Sequence, residues 1–313
     1  MTVTAEAHIS CESLVRIFKA DGVEVQALQG LELLVDRGEM VALIGASGSG
    51  KSTLLNILAG LDTPTAGTAV VAGHDLLAMK RSERLAYQRH TIGFVWQETS
   101  RNLLPYLTAA ENVAVPMVVA RTHRGRARAA RVAELLELFG VANCRDRRPR
   151  EMSGGEQQRV AIATAVANSP EVLLADEPTG ELDESTSDDV LAAMEHANAE
   201  LGVTVLVVTH DPLVSQHVRR TLQIRDGRTS TEVLRRRAVD EDGEERHVHE
   251  EFAVLDRAGR LQLPGEFTSA LDMRDRVRLA LEPDHIGVWP DAARASNGGG
   301  RDTASAGKES ADG

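Results

Sequence analysis

Cysteine is scarce in this 313-residue chain: only Cys11 and Cys144 occur, far apart and with no CxxC spacing. That excludes a disulfide framework and a cysteine metal site, and it points to reduced thiols. Long apolar runs are missing too. The stretches Val113–Ala120 and Val203–Val208 fall far short of the roughly 18 residues that cross a bilayer. No charged-then-apolar leader with a small-residue cleavage site is seen. The expectation is a cytosolic chain whose membrane role, if any, runs through a partner. Positive charge is in deficit: 35 Lys and Arg stand against 47 Asp and Glu, a net of −12. This argues against broad binding to nucleic acid or anionic lipid and leaves room only for local basic patches. One such run, Arg121–Arg131, has no interleaved aromatic residues for base stacking and reads as a solvated helix face.

What is present is ordinary for a globular protein, with 42% hydrophobic and 26% charged residues and a length suited to about two domains. From Ile9 to Ile44, β-type runs are broken by the turn signals Asp21-Gly22 and Asp36-Arg37-Gly38. From Arg81 to about Leu138 the pattern is helical. Beyond Val160, helices and apolar strands alternate to Ile224. That alternation predicts an α/β fold with a mostly parallel, buried sheet.

The segment Gly45-Ala46-Ser47-Gly48-Ser49-Gly50-Lys51-Ser52-Thr53 fits G-x-x-x-x-G-K-[ST] at every fixed position. An apolar run (Met40–Ile44) precedes it, and Leu54–Leu58 follows at helical spacing. Strand, glycine loop and helix are the context this motif requires. Gly45, Gly48 and Gly50 lack a Cβ, so successive backbone N–H groups can curl around a polyphosphate. The helix beginning near Lys51 aims its positive dipole end at the same place. Lys51 is placed to bridge the β- and γ-phosphates, and the Ser52 hydroxyl to hold Mg²⁺. The sequence therefore predicts a nucleoside triphosphate site.

Four further motifs follow in order. Val172–Ala175 is an apolar strand ending in Asp176 and Glu177. In a parallel sheet Asp176 emerges beside the phosphate loop to support Mg²⁺, and Glu177 is placed to polarise water. Two such acids by themselves could equally be helix caps. Met152-Ser153-Gly154-Gly155-Glu156-Gln157-Gln158-Arg159 is a second glycine loop at a second helix start, hence a second anion site. Gln97 and His210 each close an apolar strand with a polar group. Either residue alone could be an ordinary surface position.

Taken together, these residues resemble the nucleotide-binding subunit of ABC transporters over about Ile9 to Arg228. The resemblance implies ATP and Mg²⁺ as cofactors and a homodimer with two ATP between its chains. The Ser153-Gly154-Gly155 loop of one chain then caps the γ-phosphate held by the phosphate loop of the other. It implies Phe18 as the ring stacking on adenine, Gln97 as the Mg²⁺ and coupling glutamine, Glu177 as general base and His210 as the γ-phosphate switch. Asp183 falls in the loop linking the two sites. The chain departs from the pattern at Phe18 for tyrosine, Met152 for leucine and Thr164 for arginine. Segments 60–67, 102–113 and 175–180 look like the lipoprotein-release and macrolide-export group. That implies a separate membrane permease, attachment to the inner face of the membrane through it, and export or force transmission. A soluble ABC ATPase of nucleic-acid maintenance, or an ATPase-linked DNA-binding regulator, stays open as the alternative.

The expected organisation is an ATP-binding domain over 1–230 with a helical subdomain at about 98–160. A charged linker over 231–250, a small β-rich domain over 251–290 and a disordered tail over 291–313 follow. Residues Val254–Pro264 read as strand, turn, strand; Phe267–Leu271 as a short helix; Arg276–Leu281 and His285–Val288 as strands. This segment is similar to the swapped-hairpin domain of AbrB-type regulators, mainly through D-x-x-G-R-x-x-x-P. It carries five basic and seven acidic residues, a poor surface for DNA phosphates.

Overall fold

The computed structural model describes residues 7–20, 22–211, 214–239, 245–273 and 276–290. It divides into two compact units, Met1–Gln262 and Leu263–Gly313. The first unit begins with β1 (Ala7–Ala20), β2 (Val23–Asp36) and β3 (Met40–Ile44), followed by α1 (Lys51–Leu58). Next come β4 (Ala66–Val71), β5 (His74–Asp75), α2 (Arg81–His90) and β6 (Ile92–Val95). A helical stretch holds α3 (Thr99–Asn102), α4 (Ala109–Ala120), α5 (Arg126–Leu138) and α6 (Gly154–Ala165). The chain then alternates through β7 (Val172–Asp176), α7 (Glu184–Leu201), β8 (Thr204–Thr209), α8 (Val214–His217) and β9 (Arg220–Arg225). It closes on β10 (Arg228–Val239) and β11 (Glu245–Ala253).

Seven strands form the main sheet in the order β11-β10-β9-β3-β8-β7-β6. The five from β9 to β6 are mutually parallel. A separate antiparallel sheet runs β2-β1-β4-β5. Successive strand side chains point to opposite faces, and the parallel strands are apolar on both. Met40, Ala42, Leu173, Ala175, Val205 and Val207 pack with α4 to α7 in one core. Their neighbours Val41, Leu43, Val172, Leu174, Leu206 and Val208 pack on the other face with Leu54, Leu55 and Leu58 of α1 and with the antiparallel sheet. The sheet is thus buried between helices on one side and a helix with a second sheet on the other. The phosphate-loop helix sits under the antiparallel sheet.

The expected linker over 231–250 is not a linker at its two ends. β10 pairs with β9 and with β11, Val233 standing opposite both Thr221 and Glu251. Its charge density imitated a solvated connection, but Thr231 is buried and Val233 and Leu234 are half-buried. Residues 240–244 lie outside the described residues, as does the expected tail 291–313. A boundary at 230 would cut β10, and the first unit extends to Gln262.

Val254–Pro264 forms no strands. The Asp256 carboxylate accepts from Ala258 N and Arg260 N, both at 2.9 Å, and from Arg260 Nε at 2.8 Å. D-x-x-G-R is therefore a closed turn, with Gly259 at φ +74°. The second unit consists of α9 (Gly265–Ala270) and the hairpin of β12 (Val277–Leu281) with β13 (Ile286–Pro290). Among the described residues, no helix is long and apolar enough to cross a membrane.

Candidate nucleotide-binding site

β3 delivers the chain from the buried sheet into the loop Gly45–Gly50. At Gly50 φ is +101°, and a Cβ would stand 2.5 Å from Ala27 O. Only glycine permits both the left-handed turn and this approach of the loop to β2. Lys51 Nζ donates to Gly45 O at 2.7 Å and to Ala46 O at 3.0 Å. Lys51 as a residue is 7% exposed, its ammonium gathered against the loop it would leave to meet phosphate. The Ser49 hydroxyl is buried with no partner. It lies against Gly45, where a Cβ would stand 2.7 Å from it and 2.5 Å from Ile224 O, and Ser49 does not line the cavity that opens beside the loop.

A cavity of about 620 Å³ opens here, lined by Val25, Gln26 and Ala27 of β2, by Ser47, Gly48, Gly50, Lys51, Ser52 and Thr53, and by Gln97, Glu177 and His210. That volume suits a nucleotide-sized ligand. Asp176, at the end of β7, has Oδ1 3.5 Å from Ser52 Oγ. Burial pushes its carboxyl above the usual range, and the Ser52 hydroxyl opposes that shift. Asp176 does not itself line the cavity, whereas Ser52 and Gln97 do; carboxylate, hydroxyl and amide oxygens are the donors a hard cation such as Mg²⁺ takes. Glu177 adopts φ +46°, a left-handed conformation rare outside glycine. Its N–H donates to Val208 O at 2.7 Å, and its carboxylate, 15% exposed, lies 2.6 Å from His210 Nδ1. The backbone turn re-aims the side chain away from the sheet and into the cavity.

Phe18 does not line this cavity. It stands opposite Val25 in the β1–β2 register and is 40% exposed. The Arg16 guanidinium lies 4.4 Å over its ring and is gripped by Asp62 through two 2.8 Å bonds. Ser153, Gly154, Gly155 and Glu156 lie outside the cavity as well. Ser153 caps α6: its hydroxyl accepts from Glu156 N at 3.2 Å, and the Glu156 carboxylate accepts from Ser153 N at 2.8 Å. That last bond leads the causes holding the Glu156 carboxyl below its usual range. Asp183 caps α7, accepting from Thr186 N at 3.0 Å and from the Ser185 and Thr186 hydroxyls at 2.8 Å. These bonds lower its carboxyl to about 2. The two caps meet: a Cβ on Gly155 would stand 2.4 Å from Thr186 Cγ2.

Sequence reasoning missed the amides that shape the segment after Gln97. Asn102 accepts from Trp96 N and donates to Trp96 O, both at 2.8 Å. Asn112, 2% exposed, accepts from Leu104 N at 2.7 Å and donates to Thr108 O at 2.9 Å. Asn102 opens the 102–113 segment and Asn112 stands one residue before its end, and that placement was the available signal. Behind it lies a groove of about 390 Å³, lined among others by Leu61, Phe94, Trp96, Arg101, Pro116, Val119 and Thr164.

Residues 28–180 match the family model described as "ABC transporter". The lipoprotein-releasing system ATP-binding protein LolD of Geobacter metallireducens is 46% identical over 204 residues, 65% of this chain and 89% of the relative. The macrolide export ATP-binding/permease protein MacB of Rhodopseudomonas palustris is 44% identical over 223 residues, 71% of this chain. Those residues span only 34% of that relative. Among solved structures, a dimeric post-hydrolysis state of the ATP-binding cassette MJ0796 bound to ADP and Pi is similar at TM-score 0.65 and 36% identity. That match covers 72% of this chain and 97% of the cassette. With a phosphate loop, a carboxylate pair and a capped Ser-Gly-Gly helix placed on such a fold, the chain belongs to the ABC transporter ATP-binding family.

Proposed function

We propose that the chain is the ATP-hydrolysing subunit of an ABC transporter, pairing with a second copy around two ATP and driving a separate membrane permease. The observation that carries this reading is the division of the site. Lys51, Ser52, Gln97, Glu177 and His210 share one cavity, whereas the capped Ser153–Glu156 loop points elsewhere. A second anion-binding helix start unused within the chain is what a two-fold partner supplies.

In this reading the phosphate-loop N–H groups and Lys51 bind the triphosphate. Ser52, Gln97 and Asp176 would hold Mg²⁺, which when bound neutralises phosphate charge. Glu177 takes a proton from the attacking water. His210, hydrogen-bonded to that carboxylate, orients it and reaches toward the γ-phosphate. Phe18 offers an aromatic face to the base, and Asp183 links the two sites. The groove at Trp96, Pro116 and Val119 receives the permease, beside the Gln97 segment that would transmit site closure. The relatives' names support export or force transmission.

For the second unit we propose pairing between copies: Leu279, Leu281 and Ile286 are exposed on its hairpin, and a two-stranded hairpin is marginal alone. Its balance of charge does not favour DNA.

Mixing tests the division of the site. Chains carrying Lys51→Ala and chains carrying a Ser153 substitution should each be inactive, yet together regain one intact site. Failure to recover any ATP-dependent dimer would overturn the reading. Crosslinks from the 97–116 segment should reach the permease; crosslinks found only beyond Glu251 would overturn the coupling assignment.

A further inference from the structure

The nucleotide cavity is walled by two separate sheets. Val25, Gln26 and Ala27 belong to the antiparallel sheet, whereas the phosphate loop, Glu177 and His210 extend from strands of the main one. The placement of one sheet on the other fixes the distance from nucleoside pocket to phosphate loop. One tie is the turn between β9 and β10: Gly227 N donates to Ser49 O at 3.1 Å, and Gln29 N donates to Gly227 O at 2.9 Å.

A second tie lies outside the residues shared with the family model. The strap 254–262 leaves β11 and stands with one foot on each sheet. On the main sheet, Val254 N donates to Ser230 O at 2.9 Å, and the Asp256 carboxylate holds Arg228 at 3.3 Å, next to Gly227. On the antiparallel sheet, Arg257 meets the Glu12 carboxylate of β1 at 2.5 Å. The strap is itself stiff, because Asp256 also closes its turn through Ala258 and Arg260. Arg228 and Arg260 converge over Gly30 of β2, 3.8 and 3.9 Å from where its Cβ would be. Side chains so held resist a hinge between the sheets at Gly30, three residues along β2 from the Ala27 wall of the cavity.

We propose that the strap is a positioning element for nucleotide binding: through Asp256–Arg228 and Arg257–Glu12 it fixes the β2 wall against the phosphate loop. Nucleotide affinity therefore depends on residues that never touch the nucleotide. Glu177 chemistry does not depend on them, so releasing the strap raises KM and leaves kcat in place. The proposal rests on the assignment of the cavity to ATP.

Charge reversal in the full chain tests it, read by the Kd of a fluorescent N-methylanthraniloyl ATP and by steady-state hydrolysis. Glu12→Arg and Arg257→Glu should each raise Kd and KM about three- to fivefold, the range an exposed ion pair commands, with kcat within twofold of the parent. The double reversal restores the pair and should bring both constants back to within twofold. Asp256→Ala should shift them in the same direction as the single reversals. A lowered melting temperature with unmoved Kd and KM, or a double reversal without recovery, overturns the proposal. The Lys51→Ala control separates the two readings. If the parent chain binds no nucleotide, the cavity assignment has failed. If it binds and only Lys51→Ala abolishes binding, the strap alone has failed.

Discussion

Asn112 offers a test whose size can be worked from geometry. Its side chain is 2% exposed at the first turn of α4. Oδ1 accepts from Leu104 N at 2.7 Å, and Nδ2 faces the carbonyls of Thr108 at 2.9 Å, Leu104 at 3.2 Å and Leu107 at 3.2 Å. An amide nitrogen carries two hydrogens, so three full bonds are the most it can make here. At a net of about 1 kcal/mol each, Asn112→Ala should cost about 3 kcal/mol, roughly a hundredfold in the folding equilibrium. Asn112→Asp should cost at least as much, because it turns both donors into acceptors facing carbonyl oxygens. Urea unfolding followed by circular dichroism reads this as a lowered midpoint at unchanged slope. A loss below about 1 kcal/mol in the alanine variant, within the range of a single bond, would refute the clamp. Because neither Asn112 nor its partners Leu104, Leu107 and Thr108 line the cavity, ATP affinity should stay near the parent value in whatever fraction remains folded.

Further outcomes follow from the same geometry. Glu177→Gln keeps shape and hydrogen bonding but removes the base, so ATP should still bind while turnover falls about 10²-fold or more; near-normal hydrolysis measured by phosphate release would sink the assignment. Asp183 is held at about 2, below its ordinary 3.8. Its contribution is therefore present above pH 4 and lost as pH falls toward 2. Asp183→Asn should flatten that acid limb of the melting profile, and an unchanged limb would count against it. Burial pushes the Cys11 thiol up to about 12 and raises Cys144 as well. A thiol reagent should thus label neither in the native chain and both in urea.

The part of the candidate site that shares one cavity, Ser47, Gly48 and Gly50 to Thr53 with Gln97, Glu177 and His210, was legible because its signals are local. A glycine loop between a strand and a helix, and acids at the end of β7, can be read without knowing what packs against them. What the sequence hid depends on distant partners. Asp226-Gly227 looks like a plain turn, yet Gly227 joins Ser49 to Gln29. The charged stretch after Thr231 has the composition of a linker, and only pairing with β9 and β11 makes β10 a strand. A strand near the end of a sheet carries charge without penalty, so composition there cannot separate a strand from a tether. The D-x-x-G-R motif, by its spacing, suits a turn between two strands. Its aspartate closes the turn on itself and on Arg228, which no spacing rule announces. Phe18 carries no local signal beyond the family resemblance, and the Arg16 guanidinium over its ring, itself held by Asp62, belongs to three-dimensional contacts.

The contact between the caps of α6 and α7 has a consequence for timing. Gly155 leaves no slack against Thr186, and the chain from Glu177 to Asp183 is drawn tight by bonds from Gly180 N to Glu177 O and from Leu182 N to Thr179 O. A shift at Glu177 would therefore be carried along 177–183 to the paired starts of α6 and α7. In the pairing proposed above, two such chains would form a loop of mutual influence, each reporting its own state as a change in the other's grip. An assembly wired in this way would favour firing in sequence, with the first event altering the odds of the second.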